Sequence, residues 1–410
     1  MAHAFGNLPA GAPKTPEKFT FRVPDQDLEE FKTLLKLSKI GPDTYYNNQE
    51  DRRFGVTKKW LTDAKEAWLK YDWRKQEDRI NSFPNFKAQV ANSDLGTTEV
   101  HFTALFSKKQ DAIPVIFMHG WPGSFLEFFP MLDLLLGKYS PDTLPYHVIV
   151  PSLPGYGLSS ASVPLDKEIR VDQVAGVMHQ LMLDLGFGGG YAAQGGDVGS
   201  FLARLMAANY AECKAFHLNM LFPNPDNKIG SVDSLSAQEQ KQLGRMTRFR
   251  SHGMSYALEH GLRPATIGLV LSASPISLLA WYESFEEGKY LEWVDSRYPL
   301  KLETILELVS LYWFTSTFPR SVYPYLSLAE AQTTGGQLPI PTSKEVPLGY
   351  SSFPAEISFI PEAWAEKVYP NLKQYRTHEK GGHFAALEQP ELLLQDVEDF
   401  LKDVKAASKI

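Results

Sequence analysis

Gly190-Tyr-Ala-Ala-Gln-Gly-Gly-Asp-Val-Gly-Ser200 is the stretch on which the fold of this chain turns. Gly190 to Gln194 is short and apolar, as a strand buried on both faces is. Gly195 to Gly199 places small residues on either side of Asp197, and Ser200 to Tyr210 carries a helical pattern. Outward from this point the same rhythm repeats. Upstream lie a helical stretch from Val171 to Leu185, the run Tyr146 to Val150 ending at Pro151-Ser-Leu-Pro-Gly155, and the run Pro114 to Met118 ending at His119-Gly120. Downstream, Ala215 to Met220 reads as one more strand. Strands alternating with helices predict a mostly parallel sheet covered on both faces.

The alternation stops near residue 223. Residues 223–345 are dominated by helical pattern with many aromatics and no evident sheet strand, and the α/β pattern returns from 346 to the helix Pro390 to Ala406. A helical cap inserted between two halves of one sheet is the simplest reading. Residues 1–95 precede the first clear α/β pattern, with a helix predicted from Asp25 to Leu37 and a Trp-dense stretch through Trp60, Trp68 and Trp73. The expected organisation is therefore an N-terminal wrapping region (1–95), a first core half (96–222), the cap (223–345) and a second core half (346–410).

Gly195-Gly-Asp-Val-Gly199 has the form of a nucleophile elbow, the strained strand-to-helix turn of α/β-hydrolases, in which small neighbours leave room around the central residue. Its centre is Asp where serine hydrolases have Ser. Taken alone, an Asp that merely caps the following helix explains the motif equally well. His119-Gly-Trp-Pro-Gly123 directly follows a strand. In this fold that turn gives one oxyanion-hole N–H and the residue after the nucleophile gives the other, which assigns the donors to the backbones of Trp121 and Val198. Gly381-Gly-His-Phe384 stands before the last helix, where the fold carries its histidine; His383 is favoured over its neighbour His378. An acid is expected between nucleophile and histidine. Glu356 follows a strand end, with Glu362, Glu366 and Glu379 as alternatives.

A carboxylate is ionised at neutral pH and attacks without a base, so it suits displacement at saturated carbon, leaving an alkyl ester that a histidine-activated water then cleaves. Esterase and lipase chemistry is excluded; epoxides and alkyl halides remain. A halide leaves as a stable anion, whereas an epoxide oxygen needs an acid, and a phenol is a strong donor that stays protonated at pH 7. The cap offers Tyr256, Tyr282, Tyr290, Tyr298, Tyr312, Tyr323 and Tyr325, and composition does not choose among them.

Bulk properties narrow the partners. The 410 residues carry 41 Lys+Arg against 48 Asp+Glu, a net charge of −7. Without basic runs, nucleic acid and anionic membrane are poor candidates. A single cysteine, Cys213, allows no intrachain disulfide or cysteine metal cluster. No signal peptide or membrane span is read, so a cytoplasmic location is expected; Ser408-Lys409-Ile410 is a weak variant of a peroxisomal address.

Taken together, these motifs make the chain resemble the epoxide hydrolases of the microsomal type, and most closely the soluble fungal members. The resemblance spans nearly the whole chain, including Phe21-Arg-Val-Pro-Asp25, Trp60 and Tyr71-Asp-Trp-Arg74 of the N-terminal region, which in the family winds around the core and packs on the cap. It implies hydrolysis of a small epoxide by water to a vicinal diol through an ester on Asp197, with His383 as base, Glu356 orienting it, and Tyr256 and Tyr325 opening the ring. Tyr323 is close enough to Tyr325 to compete for the second role. No metal or organic cofactor is implied, and the resemblance points to a homodimer. The membrane anchor of the mammalian members has no counterpart here. Val198 stands where relatives often carry a bulkier residue, which implies a reshaped pocket with intact chemistry. A haloalkane dehalogenase, sharing the Asp nucleophile, is the alternative reading.

Overall fold

Nine strands hydrogen-bond into one sheet in a computed structural model that describes residues 2–92, 94–221, 230–283, 293–334, 340–341 and 343–407. They are β1 (Glu17–Lys18), β2 (Asn85–Asn92), β3 (Gly96–Leu105), β4 (Ile113–Met118), β5 (Tyr146–Pro151), β6 (Tyr191–Gly195), β7 (Cys213–Leu218), β8 (Leu348–Ser352) and β9 (Leu372–Thr377), in the order β1-β2-β3-β5-β4-β6-β7-β8-β9. From β5 to β9 every neighbouring pair is parallel; β1, β2 and β3 extend the sheet in antiparallel pairs. β4 and β5 are buried throughout and β6 is buried along its length, which is why they read as unbroken apolar runs.

The sheet begins earlier than the sequence predicts. β1 and β2 lie within residues 1–95, and β2 pairs with β3 over eight residues from Asn85↔Thr103 to Asn92↔Gly96. β2 was not legible as a strand because only Asn85, Phe86 and Val90 are buried, while Gln89 and Ala91 face solvent. Helices α1 (Asp25–Leu37), α2 (Lys58–Lys70) and α3 (Trp73–Asn81) fill the rest of the N-terminal region. The core helices are α4 (Phe129–Lys138), α5 (Val171–Asp184) and α6 (Asp197–Asn209).

Between β7 and β8 the described residues contain helices only. The main ones are α7 (Ala237–Arg248), α8 (Ser255–Leu262), α9 (Pro264–Ser272), α10 (Pro275–Glu283), α11 (Leu302–Phe314), α12 (Phe318–Ser321) and α13 (Pro324–Thr334). α14 (Glu362–Val368), α15 (Ala385–Glu388) and α16 (Pro390–Ala406) follow. The N-terminal helices hold this helical layer. Phe31 of α1 packs edge-on against Trp68 of α2 and Phe314 of α11, at 5.0 and 5.1 Å between centroids. The fully buried Trp68 donates its indole N–H to Ser310 Oγ at 2.8 Å. Within the layer, Gly261 lets α8 lie against α13: a Cβ there would come within 2.4 Å of Ala329 Cβ and 2.5 Å of the Tyr325 carbonyl. That close approach sets Tyr256 and Tyr325 side by side.

No helix among the described residues is long and apolar enough to cross a membrane. Ser408-Lys409-Ile410 and Tyr290 lie outside the described residues.

Candidate active site

At the end of the central strand β6 the chain turns sharply into α6, and Asp197 sits in the turn with φ 45°, a left-handed conformation unusual for a residue with a side chain. Such a residue costs about 1–3 kcal/mol and persists only where its surroundings dictate it. The flanking glycines are obligatory. A Cβ on Gly199 would stand 1.9 Å from the Met118 carbonyl oxygen at the end of β4, and one on Gly195 would stand 2.1 Å from the Gly199 carbonyl oxygen.

Asp197 does not cap α6. The cap position is Gly196, and no side chain caps the helix. Asp197 instead directs Oδ1 across to β4's loop, where it accepts the Trp121 backbone N–H at 2.6 Å. Gly120 must be glycine for this: a Cβ there would lie 2.1 Å from Asp197 Oδ1 and 2.5 Å from the Val198 backbone nitrogen. The two nitrogens predicted as oxyanion donors therefore flank the same carboxylate, at the positively polarised start of a helix.

His383 and Glu356 complete the line. His383 Nε2 lies 3.6 Å from Asp197 Oδ2, and His383 Nδ1 is 2.8 Å from Glu356 Oε1. Glu356 is buried, and Oε1 also accepts the N–H groups of Ile357 at 2.7 Å and Ser358 at 3.3 Å. The His383 ring is fixed by its own backbone, whose N–H donates to the Trp293 carbonyl at 2.7 Å, and by the Trp293 ring 5.0 Å away. Burial pulls the imidazole pKa down, but the Glu356 and Asp197 carboxylates outweigh it and push the pKa up to about 10. The competitors are placed elsewhere. His378 Nε2 pairs with Asp396 at 2.6 Å, and Glu362, Glu366 and Glu379 are exposed.

Asp197 forms part of the wall of a cavity of about 450 Å³ whose lining is largely apolar, with Phe201, Leu205, Phe249, Met254, Leu328 and Ile357 among it. Two buried phenols complete it. Tyr256 stacks on Trp121 at 5.3 Å, and Tyr325 meets both the Trp121 and Tyr256 rings at 5.5 Å. Burial, then the neighbouring Tyr256 and Asp197, hold Tyr325 well above the usual phenol range, so it keeps its proton. Tyr323 does not line the cavity; its ring sits 6.1 Å from Tyr156. Tyr282 also stacks on Trp121, Tyr312 donates to the Gly123 carbonyl at 2.8 Å, and Tyr298 is exposed.

The sequence reading passed over two groups beside this cluster. His260 is buried against Trp121, Tyr256 and Tyr325, accepting the Trp281 indole N–H at 2.9 Å. Glu127 is a buried acid four residues past Gly123; its only signal was a lone charge within the apolar run Phe125 to Phe129.

Two family profiles match the chain: "Epoxide hydrolase N terminus" over residues 16–128 and "alpha/beta hydrolase fold" over residues 113–259. The solved Aspergillus niger epoxide hydrolase is 46% identical, covers 98% of this chain and 99% of its own, and superimposes with a TM-score of 0.89. A Dothistroma septosporum protein named as a candidate epoxide hydrolase is 43% identical over 97% of this chain and 92% of its own length. Epoxide hydrolase 1 of Sus scrofa is 30% identical over 97% of this chain and 91% of its own. Matched from end to end by relatives of this one kind, on the sheet and helical layer described above, the chain belongs to the epoxide hydrolase family of the α/β-hydrolase fold.

Proposed function

We propose that the chain hydrolyses epoxides to vicinal diols in two steps on Asp197. The observation that carries this reading is a single carboxylate held between a backbone N–H donor (Trp121) and a buried histidine–glutamate pair, on the wall of a cavity bearing two phenols. In the first step Tyr256 and Tyr325 donate hydrogen bonds to the epoxide oxygen. Asp197 attacks a ring carbon from the opposite side, the C–O bond of the ring breaks, and one phenol protonates the departing oxygen. The product is a neutral ester on Asp197 and a phenolate.

The second step follows from the first through charge. Esterification removes one of the two anions that hold the proton on His383, so the imidazole's proton affinity falls, it releases that proton to solvent and becomes a base, and it takes a proton back once the Asp197 carboxylate is restored. A water then loses a proton to His383 Nε2 and attacks Asp197 Cγ, while the Trp121 and Val198 N–H groups hold the oxyanion. Collapse breaks the ester bond, the diol oxygen takes the His383 proton, and the proton left on Asp197 restores the phenolate to phenol. Glu356 keeps the imidazole oriented and stabilises its cation. The substrate class is an epoxide with an apolar body, as the lining of the cavity requires.

The paired phenols separate this reading from halide displacement, which needs no proton at the leaving group. In the Tyr256→Phe/Tyr325→Phe double variant, turnover of styrene-oxide-like epoxides should fall on the order of 10³-fold or more, each single change costing about 10–10²-fold. Steady-state kinetics measures this. Full retained epoxide turnover in the double variant would remove the phenols from the mechanism.

A further inference from the structure

Glu127 takes no part in the steps above, and its placement asks for a ligand. It lies on the short turn Phe125–Phe128, which Ser124 starts: the Ser124 hydroxyl accepts the Leu126 N–H at 3.3 Å, and the Ser124 carbonyl accepts the Glu127 N–H at 3.1 Å. The side chain folds back over the loop that bears Trp121. A Cβ on Gly123 would stand 2.1 Å from Glu127 Oε2, just as one on Gly120 would stand 2.1 Å from Asp197 Oδ1. That Gly123 Cβ would also lie only 3.2 Å from the Gly120 carbonyl oxygen. The two carboxyl groups thus lean on neighbouring glycines of one turn.

Glu127 is only 9% exposed, and its Oε2 is closed off from the surface with no hydrogen-bond partner. Buried polar groups are nearly always satisfied, and a carboxyl left without a partner is costly, so a small polar ligand belongs here. Burial pushes the Glu127 pKa up to about 8, with His383 drawing it down and Asp197 pushing it up, so both groups lie within its electrostatic reach. Neither Glu127 nor His383 lines the substrate cavity, whereas Asp197 does. The epoxide meets Asp197 from the cavity; the ligand of Glu127 meets it from elsewhere.

We propose that Glu127 is a further catalytic residue of the ester-cleaving step, accepting a hydrogen bond at Oε2 from the water that attacks Asp197. The inference rests on the ester reading above. One water proton passes to His383 Nε2 as the water oxygen bonds to Asp197 Cγ and the carbonyl electron pair moves onto oxygen. The other O–H points at Glu127, which fixes the lone pair toward Cγ. Glu127 gains and loses no proton overall. A carboxyl oxygen accepts this hydrogen bond whether or not Glu127 is ionised.

The test is a single-turnover comparison of the unmodified enzyme, Glu127→Gln and Glu127→Asp, with styrene oxide as probe. Rapid quench and intact-protein mass analysis time the formation and the decay of the Asp197 adduct separately. In Glu127→Gln, adduct formation should stay within about threefold while decay slows on the order of 10²-fold, so the adduct accumulates. Glu127→Asp, which keeps the carboxyl group but retracts it, should slow decay by roughly tenfold, and it carries the test if the glutamine variant does not fold. Unchanged decay in the variant that folds, or equal slowing of both phases, overturns the proposal. Failure of the unmodified enzyme to form any adduct would instead overturn the ester reading on which it rests.

Discussion

Replacing Asp197 with alanine should lower kcat for epoxide hydrolysis on the order of 10⁵-fold, close to the uncatalysed background. The magnitude follows from what the residue is asked to do. It supplies the attacking oxygen, and it is the cavity-lining carboxylate that accepts the Trp121 N–H and faces His383; removing a nucleophile that works as part of a unit costs about as much as removing the unit. The fold should survive, because the strain of the elbow is set by Gly195, Gly199 and Gly120 against β4 rather than by the carboxylate. A near-unchanged circular dichroism spectrum alongside the lost turnover is the expected pair of results. Turnover within tenfold of the unmodified enzyme would mean that water attacks the epoxide directly.

Replacing His383 with glutamine should have a different signature of nearly equal size. The imidazole is not needed for ring opening, so the first turnover should proceed and leave the enzyme esterified. Steady-state kcat should fall on the order of 10⁴-fold, with one equivalent of epoxide consumed rapidly and retained. Intact-protein mass spectrometry should find the chain heavier by the mass of the epoxide. If His383→Gln turned over slowly with no adduct, the histidine would belong to the first step rather than the second. The charge argument makes a further demand on this variant: with the cation beside Asp197 gone, the first step loses an electrostatic partner of the carboxylate and should slow, though far less than the second.

The sequence made the elbow, the oxyanion loop and the histidine legible because each is a local device. Small residues at 195, 199 and 120 are demanded by backbone atoms less than 3 Å from where a Cβ would stand, and such demands leave a mark in a short window. The assignment of Glu356 over Glu362, Glu366 and Glu379 is a matter of burial, which short motifs do not carry; there and at the tyrosines the resemblance to a family supplied what spacing did not. Tyr323 and Tyr325 are two residues apart at the start of a helix and so face different ways, one toward Tyr156 and one toward the cavity. Glu127 was not legible because its meaning lies in a missing partner. Likewise β2 was hidden by the polar residues of an outer strand, so the sheet was expected to start only after it.

The central claim is that solvent oxygen enters the protein before it enters the product. A single turnover with enzyme in excess, in ¹⁸O-water, followed by mass analysis of the peptide containing Asp197, tests it most directly. The account predicts one ¹⁸O in the Asp197 carboxylate and an unlabelled diol, because the diol takes its new oxygen from the side chain and the side chain is refilled from water. Label in the diol with none in the peptide would contradict it.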